Sequence, residues 1–245
     1  MKDANQQNNV SFFSQQPKES LLNIPFMIVV MITLCFCIYI IPQYFFSYTL
    51  SLESFELFSF TPVLFKTEPL AFCYTIITYS FMHGSFQHVA LNMAWLLVFG
   101  TPLVRHLGSL RFLFFWILTA MIAVLTYFVF HHNSAVSLVG ASGAVCGMMG
   151  AIIRYVFPLN YLGSSMQNDR FLGPLLPVKK VLRSKSALVF VCLWLSIDFI
   201  IGIFSSLFAG EGTAIAWEAH IGGFFSGFLL IRLFDTSRKK LKTMI

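Results

Sequence analysis

Six apolar runs follow one another along this chain, each long enough to cross a bilayer: roughly Ile24 to Phe46, Phe86 to Val104, Phe112 to Phe130, Gly140 to Phe157, Ala187 to Phe208 and Thr213 to Phe234. Backbone N–H and C=O groups have no water to bond in hydrocarbon. Each run must therefore close its own hydrogen bonds as a helix, and together they predict an all-α, six-transmembrane helical bundle over residues 24–234. Two breaks are long and read as non-helical. The first, about 47–81, contains "FSFTPVLF", is too apolar for a solvated loop and is expected in the membrane interface. The second, about 158–186, contains "PLNYLGSSMQNDRFLGPLLPVKK", is punctuated by Pro and Gly and reads as a cytoplasmic linker. Residues 1–23 are polar and Gln/Asn-rich, without a signal-peptide pattern, and are expected to form a flexible tail; 235–245 form a basic one.

Composition agrees with this pattern. Of the 245 residues 57% are hydrophobic and only 11% charged, and the mean hydropathy is +0.77, which excludes a soluble globular class. Charge then orients the bundle. With the N-terminus cytoplasmic, all 16 Lys and Arg residues except Lys66 fall on one side, while Glu53, Glu56, Glu68, Glu211 and Glu218 lie opposite. By the positive-inside rule both termini are cytoplasmic. The net charge of +6 follows from that topology, and no basic stripe interleaved with aromatics points to nucleic acid. The five cysteines are scattered, with neither disulfide nor metal-ligand spacing, so no metal or cofactor is expected.

Polar side chains inside such runs are costly and are candidates for function. The set is small: His83, His88 and Asn92 at the head of the second run, Ser142 at the head of the fourth, Asp198 in the fifth and His220 in the sixth. The second, fourth and sixth runs all begin on the outer side, so an imidazole, a carboxamide and a hydroxyl share one leaflet. Gly143 and Gly147 in the fourth run, and Gly223 and Gly227 in the sixth, repeat at i, i+4 and let two backbones approach. Taken alone these glycines read as packing. With a polar residue just outward on each seam, the same approach brings Ser142 towards His220.

The chemistry of such a pair is acyl transfer. A neutral imidazole takes the serine proton during attack on a carbonyl and returns it to the leaving amine. Negative charge growing on the carbonyl oxygen needs fixed donors. His88 and Asn92, four apart in "HVALN", face one way and supply them, with the backbone N–H of Ser142 at a helix start as another. Asp198 is expected deeper than the site, in a stabilising pair with another helix, and Glu218 points about 200° around the helix from His220. This predicts a Ser–His dyad. "GASGA" lacks the last glycine of the nucleophile elbow and follows no strand, which argues against an α/β-hydrolase.

With these residues assembled, the sequence resembles the rhomboid intramembrane serine proteases. The resemblance spans about Pro25 to Phe234 and rests on "HGSFQHVALNM", "GASGAVCGMMGA" and "AHIGGFFSG", in that order. It implies Ser142 as nucleophile, His220 as base, His88 and Asn92 as oxyanion donors and His83 as the family's outer histidine, open between a structural and a functional role. Gly140, Gly143 and Gly223 are expected to support the site. The implied partners are the lipid bilayer and single-span membrane proteins, cleaved in or near a helix that can unwind; the oligomeric state stays open. The compact form implies a bacterial cytoplasmic membrane with the site towards the periplasm. Two departures stand out. Tyr74 and Thr75 occupy the place of a Trp-Arg pair common in the family, and Cys146 stands where an aromatic often stacks on the histidine.

Two other classes remain. A non-enzymatic rhomboid-like protein that binds membrane clients usually lacks the serine or histidine, and both are present here. A proton-conducting transporter needs polarity continuing to the inner side, and apart from Asp198 it fades past mid-membrane.

Overall fold

The computed structural model describes residues 24–156, 172, 174–208 and 215–235, without the side chains of 156 and 205–208. The expected tails at 1–23 and from 236 lie outside the described residues. So do most of the linker and the head of the sixth run at 213–214. Helices occupy all six apolar runs: α1 (Phe26–Phe45), α6 (Phe86–Trp95) with α7 (Thr101–Leu107), α8 (Ser109–His131), α9 (Ser142–Val156), α11 (Lys185–Phe208) and α12 (Trp217–Leu230). Among the described residues, four rods are long and apolar enough to cross a membrane, namely α1, α6–α7, α8 and α11. Helices α9 and α12 have only 15 and 14 residues, about 22 and 21 Å of rise.

The join between α6 and α7 is a π turn at Leu96–Gly100. Pro102 at the start of α7 lacks an N–H and its ring would strike the carbonyl four residues back, so the ladder widens there without breaking the rod.

The break at 47–81 is largely helical, contrary to expectation. It holds α2 (Tyr48–Phe58), α3 (Pro62–Thr67), α4 (Pro69–Phe72), α5 (Thr75–Thr78) and a 3-10 turn at Tyr79–Phe81. Short-range chemistry accounts for this. The Ser47 hydroxyl accepts from the Leu50 N–H at 3.3 Å to cap α2, and prolines open α3 and α4 where a missing N–H is harmless. Apolar composition hid the caps. Tyr74 Oη donates to the Leu57 carbonyl at 2.9 Å and Thr78 Oγ1 to that of Phe58 at 2.8 Å, so the pieces fasten to one another. In the linker the described part holds one short helix, α10 (Val178–Val181).

Helix α9 is the axis of the bundle, buried along almost its whole length between α8 and α12. Small residues make this fit. A Cβ on Gly143 would stand 2.6 Å from Ala123 Cβ of α8, and one on Gly147 2.6 Å from Thr119 Cβ. On the other side, Cβ atoms on Gly223 and Gly227 would overlap the carbonyl oxygens of Gly143 and Gly147. Backbone thus lies on backbone, as the i, i+4 glycines predicted. The C-terminal end of α9 is tied by Arg154, which is buried and donates at 2.8 Å to the carbonyls of both Leu176 and Phe228. Helix α11 is the opposite case: among its described side chains only Ala187 and Gly202 are buried.

Candidate active site

Ser142 is the first residue of α9, and the approach to it is fixed from outside the helix. Phe60 and Leu138 exchange backbone hydrogen bonds of 3.0 and 2.8 Å, which pins the segment after α8 to the turn after α2. The Gly140 N–H then donates to the Tyr79 carbonyl at 3.0 Å, while the Tyr79 hydroxyl donates to the Ala120 carbonyl of α8 at 2.7 Å. Gly140 has φ +126°, and a Cβ there would stand 2.7 Å from His88 Nε2. Only glycine meets both conditions. Gly140→Ala is expected to destabilise the protein by about 1–3 kcal/mol, read as a lower midpoint of thermal unfolding in detergent. The first intrahelical bond of α9 runs from Val145 N–H to the Ala141 carbonyl at 3.0 Å. The N–H of Ser142 therefore has no helical acceptor and is free to donate at the helix start.

Helix α6 brings the next two groups. The Ser85 hydroxyl accepts from the His88 N–H at 3.1 Å and starts the helix. One turn on, Asn92 shares the face of His88 and is buried. His83 lies in the turn before α6, with its ring centroid 5.0 Å from that of His88. Its Nδ1–H donates to the Phe81 carbonyl at 3.2 Å, and its buried Nε2 has no partner among the described residues. Burial first, and the His88 charge second, push its pKa down to about 3, against the Phe81 bond, so it is a neutral prop behind His88 at physiological pH.

His220 stands in the first turn of α12, and here the depth expected for Asp198 from sequence needs correction. Its Nδ1 lies 2.6 Å from Asp198 Oδ1 on α11. Asp198 is not deeper than the site. Helix α11 spans 24 residues, about 36 Å, and its middle faces the first turn of the shorter α12. Counting depth within each run separately could not reveal that offset. An ionisable residue inside an apolar span was the available signal. Glu218 does point elsewhere, pairing with His131 Nε2 at 2.9 Å.

One cavity of about 810 Å³ collects these groups: Ser142, His88, Asn92, His220 and Asp198 all line it, with Cys146 one turn below the serine. Gly143 and Gly223 lie behind it in the α9–α12 seam, where the Ala219 carbonyl is 3.9 Å from the position of a Cβ on Gly143. The residues beside Ser142 and His220 are thus nearly in contact. His83 and Gly140 buttress His88 from outside the lining. Apolar side chains such as Trp194, Ile197 and Ile201 of α11 form one wall. Among the described residues no three His, Cys, Asp or Glu side chains gather as a metal site.

Comparison with known proteins gives the same direction. The Rhomboid domain family model matches residues 71–235. The chain is 28% identical over 163 residues to the rhomboid protease GlpG of Serratia proteamaculans, covering 66% of this chain and 48% of that protein. It is 26% identical over 166 residues to the rhomboid protease GlpG of Salmonella paratyphi A, covering 68% and 50%. It is also 29% identical over 155 residues to the mitochondrial RHOMBOID-like protein 6 of Arabidopsis thaliana, covering 63% and 41%. The chain therefore matches about half the length of these relatives or less. With the family model covering most of the chain and four apolar helices of membrane-spanning length, this protein belongs to the rhomboid family and is an integral membrane protein.

Proposed function

We propose that this protein is an intramembrane serine endopeptidase that cleaves single-span membrane proteins. The observation that carries this reading is the single cavity lined by the hydroxyl of Ser142, the imidazole of His220 and the side chains of His88 and Asn92. Ser142 attacks the scissile carbonyl while His220 accepts its proton; the proton then passes to the leaving amine, and water releases the acyl group by the reverse sequence. His88, Asn92 and the Ser142 N–H receive the developing oxyanion. The bundle crosses the membrane six times with both termini cytoplasmic, and the cavity opens away from the basic side, towards the periplasm in a bacterial cytoplasmic membrane. Substrate enters sideways past α11, whose outer surface is largely exposed. A carbonyl still bonded within a helix is shielded from attack, so segments with helix-breaking residues are preferred.

Purified protein in liposomes, offered a panel of single-span substrates, should cut one at a defined bond, and a fluorophosphonate should label Ser142. Binding without cleavage or labelling would instead mark a client-binding protein. Asn92→Ala is expected to lower kcat by about a hundredfold with little change in KM, because its bond strengthens only as charge develops.

A further inference from the structure

We propose that Asp198 is a positioning residue for His220, so that the site works as a Ser-His-Asp triad whose third member comes from α11. This rests on reading Ser142 and His220 as nucleophile and base. A carboxylate accepts hydrogen bonds and cannot donate them, so the 2.6 Å contact assigns the proton to His220 Nδ1 and leaves the Nε2 lone pair for Ser142. When Nε2 takes the serine proton and the Oγ–C bond forms, the resulting imidazolium keeps its Nδ1–H on Asp198. The positive ring then faces a negative oxygen until Nε2 gives the proton to the leaving amine and the C–N bond breaks.

Two further observations support the assignment. Among the described residues Asp198 Oδ2 has no partner, so His220 is the polar group that this carboxylate engages. On the facing helix, the residue one turn after Ser142 is Cys146, too small to clamp an imidazole from below. Next to Asp198 on α11, Phe199 packs edge-on against Trp217 at 4.9 Å, and a Cβ on Gly202 would stand 2.7 Å from the Trp217 ring. These contacts dock α11 on the first turn of α12 without the carboxylate, so docking and proton placement can be separated by mutation.

The test uses the full chain in liposomes, a cleaved single-span substrate and a fluorophosphonate. Asp198→Asn removes the charge and lets an amide N–H face Nδ1. It is expected to lower kcat about a hundredfold with KM within about threefold, and to slow labelling of Ser142 in parallel. Asp198→Glu should recover part of both rates. Phe199→Ala, which loosens the docking and spares the carboxylate, should keep kcat within about twofold of wild type. Two results overturn the proposal: wild-type kcat and labelling in Asp198→Asn, or an equal loss in Phe199→Ala, which would make the effect one of helix docking. If Ser142→Ala itself still cleaved at the wild-type rate, the protease reading would fall, and the role of Asp198 with it.

Discussion

Ser142→Ala and His220→Ala are each expected to lose at least about a thousandfold in cleavage rate, and the double variant to be no slower than either alone; Ser142→Ala should unfold at the wild-type temperature, whereas His220→Ala should unfold lower because it strands the Asp198 carboxylate. The non-additivity is the informative part. A serine without its base is a neutral alcohol, and a base without the serine has nothing to deprotonate, so removing the second partner removes nothing further. Neither change should alter the packing of the bundle. Both side chains are half-buried at the cavity wall, and the bundle behind them is held by the α9–α12 backbone contact. The measurement is single-turnover cleavage in liposomes alongside thermal unfolding. A Ser142→Ala protein that still cuts would remove the nucleophile assignment.

Gly227→Val is expected to prevent the native bundle from forming, with a loss of more than about 3 kcal/mol, read as failure to unfold cooperatively in detergent. Its Cβ would overlap the Gly147 carbonyl, and α9 cannot retreat because Gly147 already lies against Thr119 of α8. The helices must separate instead, carrying Ser142 and His220 apart, so stability and cleavage fail together. Gly84→Ala is the contrasting case. A Cβ there meets nothing within 4 Å, and the change in stability should stay within about 0.5 kcal/mol.

These two results draw on different levels of information. Hydrophobic runs and the scarcity of polar residues within them made the helices legible, because lipid forces a helix to satisfy its own backbone and penalises every exposed polar group. The glycines at 143, 147, 223 and 227 were legible for a related reason: a residue with no side chain, repeated one turn apart, marks where another backbone comes close. Ser142, His88, Asn92 and His220 could be named from such local signals. The helices within 47–81 were not, since their apolar composition resembled an interfacial loop and only the Ser47 cap and the prolines of α3 and α4 distinguish them.

What the chain determined by itself was which polar residues fall within its apolar runs and which surfaces pack. Only the tertiary arrangement decided that Asp198, in the middle of a 24-residue helix, meets His220 at the start of a 14-residue one. Sequence spacing measures distance along one helix, whereas the level at which two helices of unequal length face each other is set by how their side chains and loops pack in three dimensions.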